Sequence, residues 1–223
     1  MSGLKDKQNE IIGKAYKCYL EDLESNEQKL RYEKLEKELI KFKEKLRTWK
    51  ANDGIDFLLD FALSDEARIF AKDGMGRMAT QGFKKFMDME EVRKNFEKMI
   101  FYKFNVEDDI QKNNKIASHD IKDLLDKLDK TEFELDRPKL LTGRLLLMIF
   151  TELFTTIADE TELNTVCDKL GIGTKDNSKK EKRYLSKHRQ IRCMIDIYLK
   201  ENNLYDEVNE LGRARIGWYV TIV

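Results

Sequence analysis

Helix-breaking residues are scarce in this chain. Its 223 residues include one proline, Pro138, and 11 glycines. Because proline and glycine are the least favourable residues inside a helix, long uninterrupted helices are the expected structure. Apolar residues make up 41% of the chain, which is enough to build a packed core. The sequence therefore predicts an all-α protein.

Charge and cysteine usage exclude several classes of protein. The 42 Lys and Arg residues balance 42 Asp and Glu residues, so no global positive charge draws the whole molecule to nucleic acid or to an anionic membrane. Cys18, Cys167 and Cys193 are widely spaced and form no CxxC pair, which predicts reduced thiols and neither a disulfide framework nor a zinc site. The longest apolar run, 145–150, is far shorter than the ~20 residues that span a bilayer. We expect a cytoplasmic protein without a signal peptide or a transmembrane segment.

Residues 1–51 are predicted to form an N-terminal helical arm. A slip in its apolar pattern at Ser25 fits either two helices or one helix with a stutter. The second part has the alternating three- and four-residue spacing of a coiled-coil seam, at Tyr32, Leu35, Leu39, Phe42, Leu46 and Trp49. Such a helix either packs on its own domain or forms an intermolecular coiled coil. The second alternative allows a homo-oligomer and assigns partner binding to Leu39, Phe42, Leu46 and Trp49.

Residues 52–130 contain two loops with the spacing of EF-hand loops. In the first, 71–82, Asp73 occupies position 3 and Gly76 occupies the sharp-turn position 6, but positions 1, 5 and 12 lack a ligand. Apolar residues continue on the predicted exiting helix at Phe83, Phe86 and Met87. The second loop, 109–120, has oxygen-bearing side chains at positions 1, 3, 5 and 12, namely Asp109, Gln111, Asn113 and Asp120.

This segment, from about residue 57 to 130, resembles the calmodulin-like EF-hand superfamily. The resemblance implies a degenerate EF-hand pair whose first loop cannot hold calcium. It also implies weak or lost calcium binding in the second loop, because Asp120 is shorter than the usual bidentate glutamate. No other cofactor is expected. Proteins of this type bind a target helix in an apolar groove or serve as adaptors in cytoskeletal or ciliary assemblies, which implies partner binding by Phe83, Phe86 and Met87.

Residues 131–223 are predicted to form a C-terminal helical region. Pro138 suits a helix start and precedes residues that are apolar on nearly all sides. Asp159 and Gly171 have the positions of an N-cap and a C-terminal stop for a further helix. The tail 215–223 is rich in β-branched and aromatic residues, so we predict a short terminal strand there.

The segment 175–192 carries a local excess of positive charge, with eight Lys and Arg residues against two acidic residues. It is predicted to contact an acidic partner or nucleic acid, or to form a solvated loop and helix face. Within it, Arg183 and His188 have the Arg-x4-His spacing and resemble the motif of HEPN-type ribonucleases. That resemblance implies that Arg183 and His188 act together on an RNA phosphate.

The sequence as a whole favours a non-catalytic protein-interaction or adaptor protein built on the EF-hand-like pair. The alternative is a HEPN-like ribonuclease or an RNA-binding helical protein that uses Arg183 and His188.

Overall fold

A computed structural model describes residues 2–64, 77–106, 121, 124, 127, 138–157, 159–173 and 180–223. The helices are α1 (Ser2–Glu24), α2 (Asn26–Leu46), α3 (Asp56–Leu63), α4 (Arg77–Asp88), α5 (Glu90–Asn105), α6 (Pro138–Ile149), α7 (Glu160–Lys169), α8 (Lys180–Glu201) and α9 (Glu210–Tyr219), with a 3₁₀ turn at Tyr205–Glu207. No strand occurs among these residues, so the all-α prediction is confirmed. None of the described helices is long and apolar enough to cross a membrane.

Contacts divide the described chain into two compact units. The terminal unit contains the residues up to Glu36 and those from Phe150 onward, and the central unit contains the described residues between 37 and 149. The boundary after Glu36 lies inside α2, and the second boundary directly follows α6. This division differs from the three consecutive segments 1–51, 52–130 and 131–223, because contacts distant in sequence place α1 in the same unit as α8 and α9.

In the terminal unit, α1 packs against α8 and α9, and α8 packs against α7 and α9. Tyr19 of α1 lies at an aromatic cluster, with its ring centroid 6.2 Å from those of both Tyr32 and Tyr219. The predicted caps of α7 are confirmed. The Asp159 carboxylate accepts hydrogen bonds from the first-turn amides of the helix, and Gly171 follows its end with a φ of 65°.

In the central unit, α4 packs against α5 and α6, and α3 also packs against α6. Helix α6 begins at Pro138 as predicted. Every residue from Leu141 to Ile149 is buried, including Arg144, whose guanidinium donates a 2.9 Å hydrogen bond to the Ala62 carbonyl. This hydrogen bond offsets part of the cost of burying the guanidinium.

The stripe on α2 faces inward along its whole length. The helix break falls at Ser25, which makes two helices rather than one helix with a stutter. All six stripe residues are buried, namely Tyr32, Leu35, Leu39, Phe42, Leu46 and Trp49. Of the two arrangements that the pattern allowed, this burial favours a helix packed within its own chain over an intermolecular coiled coil.

The predicted strand at 215–223 is wrong, because α9 continues to Tyr219 and the remaining residues form turns. The Asn209 side chain starts α9 by accepting a hydrogen bond from the Gly212 amide. The β-prone residues Ile216 and Tyr219 are buried on the helix face that packs against α1 and α8. Tertiary packing here outweighs intrinsic strand propensity.

Only part of the EF-hand-like segment is described. Residues 77–82, the second half of the first predicted loop, lie in α4, and Ile121 and Leu124 after the second predicted loop are helical and buried. The remaining part of the first loop and all of the second loop, including Asp109, Gln111, Asn113 and Asp120, lie outside the described residues. The EF-hand resemblance therefore stays a prediction.

Candidate functional site

A helical hairpin in the central unit holds an open groove between the second half of α2 and α3. The two helices are joined by a tight turn in which Gly54 has a φ of 78°, the left-handed conformation that glycine adopts most easily. The Trp49 indole donates a 2.9 Å hydrogen bond to the Gly54 carbonyl, and the Asp53 carboxylate accepts one of 2.7 Å from the Lys50 amide. These bonds fix the turn, so that α3 returns beside α2.

Three phenylalanines form the floor and one wall of this groove. The buried Phe42 ring stacks on Phe61, with centroids 4.1 Å apart and planes inclined by 9°, and lies 5.8 Å from the Phe57 ring. Phe57 and Phe61 are one helical turn apart on α3 and are only half-buried. The groove has a volume of about 680 Å³ and leaves aromatic surface open to an occupant.

Charged side chains of both signs surround the aromatic floor. On the α2 side, Lys41 forms a 2.8 Å ion pair with Glu38, while Glu44 and Lys45 are exposed. On the α3 side, Asp60 is exposed beside Phe61. Within the described part of the chain, neither Lys45 nor Asp60 has a recorded ion-pair partner. Glu44 has no ion pair among those residues either, so the α2 rim carries both a cation and a carboxylate and the α3 rim carries a carboxylate.

The residues predicted to bind a partner divide into two groups. Phe42 contributes to the groove, whereas Leu39, Leu46 and Trp49 lie in the core at 5% exposure or less. The α4 residues are fully buried, namely Phe83, Phe86 and Met87. A side chain without accessible surface cannot contact a partner in this conformation, so these six residues support the fold and do not form an accessible binding surface.

The other candidate site, at His188, is a buried structural centre of the terminal unit. The His188 side chain has no exposed surface and lies between the rings of Phe154 and Tyr184. Its Nδ1 accepts a 3.2 Å hydrogen bond from the Thr155 amide, so the ring proton resides on Nε2. Burial, reinforced by the Lys187 ammonium, lowers the pKa of His188 to about 3.

These surroundings do not suit His188 for proton transfer to an RNA phosphate. A general acid or base must reach its substrate and change charge near the working pH. His188 is closed off from solvent and remains neutral at neutral pH. The side chain of Arg183, its proposed catalytic partner, lies outside the described residues.

The basic segment is also less available than predicted. The Lys187 ammonium is buried and donates a hydrogen bond to the Asn164 side chain, and Arg192 is buried against the Thr151 and Phe154 carbonyls. Arg192 also pairs with Glu210. The prediction of a solvated basic face is therefore wrong at Lys187 and Arg192, because both cations are buried and hydrogen-bonded within the terminal unit. Arg189 remains exposed, and the side chains of 175–183 lie outside the described residues.

Comparison with families of proteins, with curated proteins and with solved structures gives no further assignment. The chain matches none of them.

No three His, Cys, Asp or Glu side chains cluster in a manner that could hold a metal ion anywhere in the described ranges. The four candidate calcium ligands lie outside those ranges. Weak calcium binding by the loop 109–120 thus stays a prediction.

Sequence reasoning missed Phe57, Asp60 and Phe61. A detectable signal was present, because Phe57 and Phe61 are spaced i and i+4 directly after the Asn52–Gly54 turn. The same spacing is equally typical of two fully buried core residues. Only the folded hairpin shows that these two rings are half-buried.

Proposed function

We propose that this chain is a non-catalytic protein-binding or adaptor protein, and that the groove between α2 and α3 receives part of a partner protein. The observation that carries the proposal is the half-buried pair Phe57 and Phe61 above the buried Phe42. Aromatic side chains in a concave site with a polar rim are typical of the anchoring points in protein interfaces.

The rim further supports protein binding over nucleic-acid binding. The lining of the groove carries three acidic and two basic residues, Glu38, Glu44, Asp60, Lys41 and Lys45. A polyanion would be repelled by the acidic residues, since binding to phosphates depends on a clear excess of positive charge. The mixed charges instead suit a polypeptide with both signs of charge.

The EF-hand resemblance of residues 57–130 belongs to the same proposal. It suggests an adaptor role in a cytoplasmic, cytoskeletal or ciliary assembly, with calcium contributing little. The buried, neutral His188 gives no reason to prefer the ribonuclease alternative.

Site-specific photo-cross-linking tests the proposal. A photoreactive benzoyl-phenylalanine replaces Lys45 on the groove rim, and a matched protein carries it at Lys84, an exposed position on α4 in the same unit. After irradiation in a lysate of the native source, we expect a discrete cross-linked protein from position 45 and not from position 84.

Two groove variants then establish where the cross-linked protein binds. Phe61→Ser removes the stacked ring, and Asp60→Arg reverses an exposed rim charge without disturbing the core. Both should reduce the cross-linked product, with circular dichroism confirming that each variant is folded. Equal labelling at positions 45 and 84, or labelling that neither variant reduces, would contradict a binding role for the groove.

A further inference from the structure

Aromatic rings of the terminal unit form a continuous path from the surface into the core. Trp218 is half-buried, and its ring centroid lies 5.2 Å from that of the buried Tyr219. The Tyr219 ring lies 6.2 Å from Tyr19. Tyr19 lies 6.2 Å from Tyr32 and 6.4 Å from Tyr16. Rings this close exchange an electron readily, because the electron crosses a gap of only a few ångströms. An electron removed from Trp218 at the surface can therefore be replaced from inside the unit.

The Tyr219 hydroxyl differs from the other hydroxyls of this path in its partner. It donates a hydrogen bond to the Asp22 carboxylate on α1. Within the described part of the chain, no other tyrosine of the path has a recorded carboxylate acceptor. Burial, reinforced by Asp22, raises the pKa of Tyr219, so the phenol keeps its proton at rest. A phenol that loses an electron becomes a strong acid, and Asp22 is the base within hydrogen-bond reach that can take this proton.

The Arg215 guanidinium favours Tyr219 over Trp218 as the place where the oxidation ends. It lies 4.4 Å from the centroid of the Trp218 ring and 5.3 Å from that of Tyr219. An indole that loses an electron becomes a cation, which the guanidinium repels at this distance. Tyr219 loses an electron without becoming a cation, because its proton moves to Asp22. Electron transfer from Tyr219 to the oxidised indole therefore relieves the repulsion.

We propose that Tyr219 and Asp22 form a proton-coupled one-electron oxidation site, and that Trp218 connects this site to solvent. Its substrates are small oxidising radicals that reach the surface of the terminal unit. The Tyr219 side chain is only 4% exposed, which shields the oxidised ring from coupling to a second molecule. The site is independent of the groove, which belongs to the central unit.

The reaction balances in electrons and protons. The azide radical, a small one-electron oxidant, takes an electron from the Trp218 indole and leaves as azide. The oxidised indole is restored by an electron from Tyr219. The Tyr219 O–H bond breaks and an O–H bond forms on Asp22, so the products are a neutral phenoxyl radical and a neutral carboxylic acid. A thiolate then returns the electron and becomes a thiyl radical, while Asp22 returns the proton.

Pulse radiolysis of the full chain with azide radicals tests the proposal. Azide radicals oxidise tryptophan in preference to tyrosine, and Trp49→Phe leaves Trp218 as the sole tryptophan of the chain. Indolyl and phenoxyl radicals absorb at different wavelengths, so each is followed separately. In this background we expect the indolyl signal to decay while the phenoxyl signal rises. The rate should be the same at all protein concentrations, because the transfer occurs within one molecule.

Two further variants in the same background identify the residues. Asp22→Asn keeps an oxygen that accepts the Tyr219 hydrogen bond, but an amide does not take up the proton. Tyr219→Phe removes the phenol. Each should slow decay of the indolyl radical by at least about tenfold, which corresponds to about 1.4 kcal/mol in the barrier. Glu21→Gln removes an exposed carboxylate next to Asp22 and should leave the rate unchanged. Circular dichroism confirms that every variant is folded.

Four results would overturn the inference. Equally fast decay in Tyr219→Phe would place the radical on another side chain. An unchanged rate in Asp22→Asn would exclude Asp22 as the proton acceptor. A rate that rises with protein concentration would show transfer between molecules. If a phenoxyl radical is seen only after Cys18→Ser, which removes the half-buried thiol of α1, the oxidation ends on Cys18. None of these results bears on protein binding by the groove.

Discussion

At the scale of single residues, His188 shows how the fold uses a side chain that resembles a catalytic one. Its Nδ1 faces the Thr155 amide and hydroxyl, and its ring packs on Phe154 and Tyr184. Within the terminal unit, the imidazole thereby connects α8 to the segment around Thr155. Its low pKa is a consequence of this burial and identifies a structural role.

The buried imidazole predicts an acid-dependent loss of stability. The pKa of His188 is about 3 when folded and about 6.5 when unfolded, so between these values the unfolded chain binds the extra proton. The contribution is fully present above pH ~6.5 and is lost as the pH falls, by roughly 1.4 kcal/mol per pH unit. Urea unfolding at pH 7, 6 and 5 measures the slope.

His188→Asn provides the control, because an amide oxygen can accept from Thr155 but does not titrate in this range. We expect this variant to be less stable at pH 7 and to have a shallower dependence on pH between 7 and 5. Equal slopes in the two proteins would show that His188 is already protonated, or accessible, in the folded state.

The sequence predicted the local caps but not this polar core. Asp159 and Gly171 act within a few residues of their own position, so their roles could be predicted from spacing alone. His188 and Arg192 lie in a lysine-rich run that resembles a solvated surface. Their partners include residues of the segment 151–155, and nothing in the local pattern indicates that this distant segment covers them.

At the scale of elements, the periodicity of α2 predicts correctly which side chains are buried, but it does not predict whether they pack within the chain or against another chain. Its three- and four-residue spacing fits a coiled coil and an ordinary packed helix equally well. In the structure the stripe is occupied by the chain's own side chains, including the stack of Phe42 on Phe61.

Two substitutions on the same helix separate these alternatives. Leu46 has no exposed surface, whereas Ile40 is 55% exposed six residues earlier. Leu46→Glu places a carboxylate in the core and should destabilise the protein by more than ~3 kcal/mol. Ile40→Glu should change stability by less than ~1 kcal/mol.

Thermal and urea unfolding of both variants, compared with the unmodified protein, measure the difference. If Leu46→Glu stays folded and instead lowers the molecular mass of an oligomer, the stripe is an intermolecular seam and its intramolecular assignment is contradicted.

The C-terminal helix α9 includes residues for which the sequence wrongly predicted a strand. Its tail residues favour strands in isolation, but no neighbouring strand exists among the described residues to pair with them. Gly217 lets α9 approach Thr155 closely, since an added Cβ would lie 2.7 Å from the Thr155 Cγ2 atom. That packing depends on segments more than fifty residues apart, which a local pattern does not contain.

At the scale of the whole molecule, the chain begins in the terminal unit, passes through the central unit and returns to the terminal unit. The chain's first and last parts form the terminal unit, and the central unit is inserted between them at Glu36 and Phe150. Composition predicted the all-α class because helix breakers are scarce. It could not predict that the central unit is inserted into the sequence of the terminal unit. The buried polar centre belongs to the terminal unit, and the open aromatic groove belongs to the central unit.

Hydrogen exchange measured by mass spectrometry tests whether a partner protein binds in the groove between α2 and α3. The full chain is compared with and without the protein cross-linked from position 45. Binding should slow amide exchange in the second half of α2 and in α3, and should leave α7 and α9 unchanged. Protection confined to α7, α8 and α9, with α3 unaffected, would show that the partner binds outside this groove.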